Sequence, residues 1–168
     1  MGIRILPLAL LTAASFGVAP LAAQGQIVRA IASIDGITCP FCAFGAEKQL
    51  KQVGGVQRIA VDVDKGTATL VARAGQSIEV GQIPGAVKAA GFTAREVRIV
   101  AIGTVIAEGQ GLRLQLQGQP RRLTLRPSRD EALMAKLRAA SGQRTLLEVT
   151  GVWNEGGDAL IPEAVKGL

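Results

Sequence analysis

Between Gln26 and Val100 the spacing of apolar residues changes repeatedly, and the order of the changes leaves few folds open. "QIVRAIASI", Gln26 to Ile34, is rich in β-branched residues and reads as a strand. "PFCAFGAEKQLKQV", Pro40 to Val53, sets Ala43, Ala46, Leu50 and Val53 on one helical face. Pro40 suits the first turn, where a missing N–H costs nothing, and Gly54-Gly55 ends the helix. "VQRIAVDVD" and "TATLVARA" are strands joined by a hairpin turn at "DKG". "SIEVGQIPGAVKAAG", Ser77 to Gly91, reads as a helix with Ser77 as N-cap, with Pro84 allowing ordered helix only from near Ile83. "FTAREVRIV" closes the series as a strand. Strand, helix, strand, strand, helix, strand within about 70 residues is the order of a ferredoxin-like split βαβ.

From Ala101 the pattern changes. "GTVIAEG", "LRLQLQG" and "RRLTLRP" are short alternating strands separated by Gly and Pro. "SRDEALMAKLRAASG" is a helix, with Ser128 and Glu131 forming an S-x-x-E box and Gly142 closing it. Two more strands follow in "RTLLEVTGVWNEGGDALIPEAV". Short strands around one helix suggest a small β-rich domain, for which an OB-like barrel is one form. The expected class is therefore α+β, with a first domain over 24–100 and a second over 101–168. The boundary falls within Ile99 to Gly103. Asp130 and Glu131 complement a helix dipole, and Trp153 reads as core.

The start, "MGIRILPLALLTAASFGVAPLAAQGQ", has the layout of a secretory signal. Arg4 is its positive region, Ile5 to Val18 its apolar region, and Ala22-Ala23 the small residues before a cut at Gln24. Residues 1–23 are thus expected to be a signal peptide, and the mature protein to be periplasmic or otherwise secreted, with no membrane insertion after cleavage. The 168 residues are 48% apolar but only 3% aromatic, so the core is expected to be aliphatic. The net charge of +6 is spread thinly; its longest basic run, Arg121-Arg122, has no aromatic platform beside it, which speaks against nucleic acid. Histidine is absent, which removes Ser-His-Asp and Cys-His catalysis and every histidine-containing metal site.

Both cysteines lie in "GITCPFC", at Cys39 and Cys42. Three-residue spacing across a loop-to-helix junction lets two sulfurs converge on one ion, and the positive helix terminus favours thiolate. Soft thiolates select Cu(I), Hg(II) or Zn(II), and two ligands alone suit two-coordinate Cu(I) or Hg(II) better than tetrahedral zinc. The same helix terminus would activate Cys39 in thiol–disulfide exchange, and "CPFC" is close to the motifs of glutaredoxins and periplasmic thiol oxidants. A structural disulfide is the plainest reading, although so short a loop constrains the unfolded chain little.

Several spaced motifs together resemble the heavy-metal-associated domain of copper chaperones, metal-pumping ATPases and periplasmic mercury-binding proteins. They are "GITCPFC", "GGV" at Gly54 to Val56, "VDVDKGTATLV" at Val61 to Val71 and "AAGF" at Ala89 to Phe92. The resemblance spans Ile27 to about Val100. It implies the ferredoxin-like fold, Cys39 and Cys42 as metal ligands, and a loop shaped by Asp35, Gly36 and Thr38. Ile37 stands where the family carries Met and should keep the apolar contact beneath the loop. Pro40-Phe41 is bulkier than the family's usual middle pair. Phe92 occupies an aromatic position near the metal loop, which a core role explains equally well.

The expectation is an exported, non-catalytic carrier of a soft metal ion, Cu(I) first. Its partner is a metal-donor or metal-acceptor protein with a thiol site. The alternative is a thiol–disulfide oxidoreductase. No catalytic constellation is visible after residue 100, where a partner-docking role is the guess.

Overall fold

The computed structural model describes residues 26–116, 119–154, 156 and 158–168. The expected signal segment lies outside these residues. The class is α+β.

The first half follows the expected order. Strand β1 (Ile27–Asp35) leads into helix α1 (Pro40–Leu50), then β2 (Val56–Asp62), β3 (Thr67–Ala72), helix α2 (Ile83–Ala89) and β4 (Thr93–Glu108). The strands lie side by side as β2-β3-β1-β4. Each pair is antiparallel, with Ala32 opposite both Ala68 and Val97. Alternation decides the faces: Ala30, Ala32 and Ile34 of β1 are buried, as are Leu50 of α1, Ile83 and Val87 of α2, and Val97 and Ile99 of β4.

Ser77 does not cap a helix. It is buried, and its Oγ accepts the backbone N–H of Ile27 at 3.0 Å. The chain then makes a single 3₁₀ turn over Val80–Gln82 before α2 begins at Ile83. Pro84 explains the delay: it has no N–H to donate and is tolerated only in a first turn. The start of β1 thus gains a partner that the sequence pattern assigned to a helix end.

The second half adds β5 (Gly111–Leu116), β6 (Arg122–Leu125), helix α3 (Glu131–Ala140), β7 (Leu147–Asn154) and β8 (Ala159–Gly167). With the far part of β4 they form a five-stranded barrel, β4-β5-β6-β8-β7, closed where β7 pairs back onto β4. Among the described residues only β6 and β8 run parallel. Leu112, Leu114, Leu116, Leu123, Val149 and Leu160 fill the barrel, and Leu133, Met134 and Leu137 of α3 join the same buried cluster. Asp130, rather than Ser128, caps α3, accepting from the N–H of Leu133 at 2.9 Å. Ser128 instead accepts from the N–H of Asp130 at 3.3 Å, so the S-x-x-E box is not formed.

The two strands expected on either side of residue 100 are one, the 16-residue β4. Its Val97–Gly103 stretch pairs with β7 on one side, while β1 and then β5 occupy the other. Gly103 is not punctuation. A Cβ there would collide with the backbone carbonyl of Gln115 on β5, so the glycine permits a close approach at the barrel corner. The outer strand of the first sheet would otherwise present unpaired N–H and C=O groups; β7 covers them. A single buried cluster runs through both halves, from Ile27 to Leu160.

Candidate metal centre

The cysteine pair stands where β1 hands the chain to α1. Gly36 begins the loop at φ +85°, a conformation that side chains rarely adopt, with the Phe92 ring against it. Ile37 turns inward and is 3% exposed, anchoring the loop as the apolar contact expected of it. Thr38 is exposed. Cys39 is extended, at φ −142° and ψ 153°, and occupies the N-cap of α1. Its Sγ accepts the backbone N–H of Cys42 at 3.1 Å, and its carbonyl accepts from Ala43 at 3.1 Å. Pro40 fills the first helical position, and Cys42 follows within the first turn.

The two sulfurs are joined as a disulfide, with the Cα atoms 5.2 Å apart. Both cysteines are half-buried. This is the oxidised form of a pair whose reduced form would set two sulfurs side by side at a positive helix end. Both ion capture and disulfide exchange are open to such a pair. Capture requires it reduced and deprotonated.

Charged side chains near the loop are paired with one another. Asp35, the last residue of β1, pairs with Arg95 at the start of β4. That carboxylate holds the Arg95 guanidinium above its ordinary value. On the hairpin beside the loop, Lys65 donates to Asp62 at 2.8 Å. This bond lowers the Asp62 carboxyl and raises the Lys65 ammonium. Gly66 ties this hairpin to the loop, its carbonyl accepting from Ile34 at 2.8 Å. Phe92 is partly buried and packs on the core edge as well as against Gly36 of the loop.

The donor set limits the ion. The chain contains two cysteines and no histidine, and among the described residues no cluster of three or more His, Cys, Asp or Glu could surround a metal. Two sulfurs fit a soft ion content with few ligands, or one completed by a partner. The sequence reading did not single out Phe44, which stands exposed one turn along α1 from Phe41. An apolar residue facing outward carries the same letter as one facing inward, and only the packed helix distinguishes them.

Residues 31–93 match the heavy-metal-associated domain. A mercuric reductase of Shewanella putrefaciens is 33% identical over 64 residues, which are 38% of this chain and 11% of that enzyme. The chain therefore spans about a tenth of that relative. Among solved structures, the CopZ metallochaperone is 21% identical, with 40% of this chain and 98% of that one covered and a TM-score of 0.37. A copper binding domain from HMA7, a P-type ATPase, is 25% identical, with 43% and 90% covered and a TM-score of 0.34. Over residues 31–93, this chain is similar to the heavy-metal-associated domain.

Proposed function

We propose that the chain is an exported carrier of a soft metal ion, with Cu(I) as first choice and Hg(II) or Zn(II) behind it. Reduced Cys39 and Cys42 take up the ion as thiolates and pass it by ligand exchange to a thiol site on a partner protein. The observation that carries this reading is the sulfur pair at the first turn of α1, inside a stretch similar to the heavy-metal-associated domain. A backbone N–H already points at the Cys39 sulfur, and the helix end adds partial positive charge; both favour thiolate. No catalysis is assigned. Export rests on the layout of residues 1–23.

We read the barrel as OB-like. Its strand order, numbered within the barrel as 1-2-3-5-4 and closing on 1, with a helix between the third and fourth strands, supports that reading. Residues 24–100 and 101–168 then act as two functional units hinged on nothing, because β4 runs through both. The barrel would serve as a docking module.

One observation favours a second reading. The cysteines are joined, as in the oxidised state of a thiol–disulfide oxidoreductase. A substrate dithiol would then reduce the pair and leave as a disulfide, with Cys39 and Cys42 released as thiols.

An anaerobic titration of the reduced mature protein with Cu(I), against a competing chelator and with thiols counted, separates the two. One ion per chain, consuming both thiols and lost in Cys39→Ser and Cys42→Ser, is the expected result. Free thiols that ignore Cu(I), in a protein whose disulfide form oxidises a dithiol peptide and is re-oxidised by added glutathione disulfide, would replace the carrier with the oxidoreductase.

A further inference from the structure

A hollow of about 240 Å³ opens where the two halves meet. Pro84 of α2, Ala94, Arg95 and Val97 of β4, and Trp153 and Asn154 of β7 stand around it, and the other described residues of its wall are aliphatic. Trp153 is 6% exposed, and its indole N–H is buried with no hydrogen-bond partner among the described residues. A buried indole N–H ordinarily finds an acceptor, and one without calls for an explanation. The polar groups at the rim are donors too. Arg95 gives its Nε–H to Asp35 and keeps four more N–H groups on its fork. Asn154 spends its Oδ1 on the N–H of Gly156 at 3.2 Å, which leaves its NH2 to donate. Among the described residues no acid lines the hollow.

We propose that this hollow is a binding site for a small organic carboxylate, whose apolar body lies against Pro84, Ala94 and Val97 and whose oxygens take the N–H groups of Arg95, Asn154 and Trp153. The chemistry of the wall selects the ligand. Donors with no free acceptor among them call for an acceptor, and one guanidinium calls for one negative charge. A planar carboxylate meets the guanidinium fork through two parallel bonds. A phosphate monoester would bring about two charges, and aliphatic walls cannot solvate the second. An amine would meet only donors. Size agrees: an apolar cavity of about 150 Å³ takes benzene, so this one admits a single ring that carries a carboxylate. A free acid and the C-terminus of a peptide both offer this group. Neither cysteine takes part, so the proposal stands apart from the carrier reading, and its test runs on the metal-free chain.

The test follows the indole N–H in a proton–nitrogen correlation spectrum of the mature chain, where the single tryptophan gives a single indole peak. Benzoate, benzamide and benzylamine are the probes. Benzoate is expected to move this peak downfield and to saturate with a Kd of about 1 mM, the scale open to a ligand of about nine heavy atoms. Benzamide keeps the ring and an acceptor without the charge, and should bind about ten-fold more weakly. Benzylamine should leave the peak in place. The Arg95 side chain is 72% exposed, so Arg95→Gln should fold and weaken benzoate about ten-fold. Ala94→Leu, which fills the hollow, should abolish binding, and the remaining peaks of each variant report its fold. N-acetyl-glycyl-glycyl-valine and its C-terminal amide separate the sources. A peptide tighter than benzoate, and lost as the amide, assigns the carboxylate to a chain end; a peptide weaker than benzoate assigns it to a free acid. Both results sustain the site. An indole peak that stays fixed at about ten times the expected Kd, equal shifts from all three probes, or an affinity indifferent to Arg95→Gln would overturn the proposal.

Discussion

Cys39 has two duties that substitution can separate. Its sulfur caps α1, and in the proposed function it is also a ligand. Serine is a good N-cap with no soft donor, so reduced Cys39→Ser should melt within a few degrees of the reduced parent while losing Cu(I) uptake. Cys39→Ala should lose the cap as well and fall by about 1 kcal/mol in a urea titration. Ser77 carries a different lesson. Its place before an apolar run and a proline reads as a helix start, but its hydroxyl serves Ile27 fifty residues away in the chain. No local pattern encodes such a bond. Ser77→Ala leaves a buried N–H unpaired and should lower stability by about 1–3 kcal/mol, whereas Ser77→Thr, which keeps the acceptor, should lose less. The thiol pair itself was legible, because its chemistry lies in residue types and spacing. The exposure of Phe44 was not, because α1 has too few polar positions to show which side faces out.

The elements of the first half were legible because each has its own period and its own stop. α1 starts at Pro40 as expected but ends at Leu50, about one turn before the Gly54-Gly55 pair expected to stop it, and β2 and β3 are joined by the expected hairpin turn. α3 was placed correctly, but its cap was misassigned: Ser128 and Asp130 are both good capping residues, and two positions of slack decide between them only in three dimensions. Asp130→Ala should cost about 1 kcal/mol and Ser128→Ala a few tenths, as read from thermal melts. β4 was the largest miss. Glycine inside a strand pattern reads as a break, whereas at Gly103 it lets the barrel turn its corner against Gln115. Gly103→Val should push β5 away and lower stability by more than about 2 kcal/mol, with loss of soluble protein on mild heating.

At the scale of the whole molecule, one strand belongs to both halves and one buried cluster spans them. Two independent domains would melt separately; this chain should melt once, with calorimetric and van't Hoff enthalpies in agreement. Truncation after Val100 would remove β7 from the side of β4 and bare its backbone groups, so the shortened protein should melt earlier and aggregate at its free edge. The sequence marked the second half as β-rich with one helix, and that is present. Closure was not legible. β7 meets β4 across about fifty residues of chain, and an alternating strand looks the same whether its neighbour is near in sequence or far.

Trp153 is the only tryptophan, and the chain has no tyrosine. The indole is 6% exposed and sits on β7 opposite Val97 of β4 and Leu160 of β8, at the join of the two halves. The intrinsic fluorescence of this protein is therefore a single-site signal. Its emission reports on the seam alone, so a red shift during heating should coincide with the single melting transition, with no label introduced.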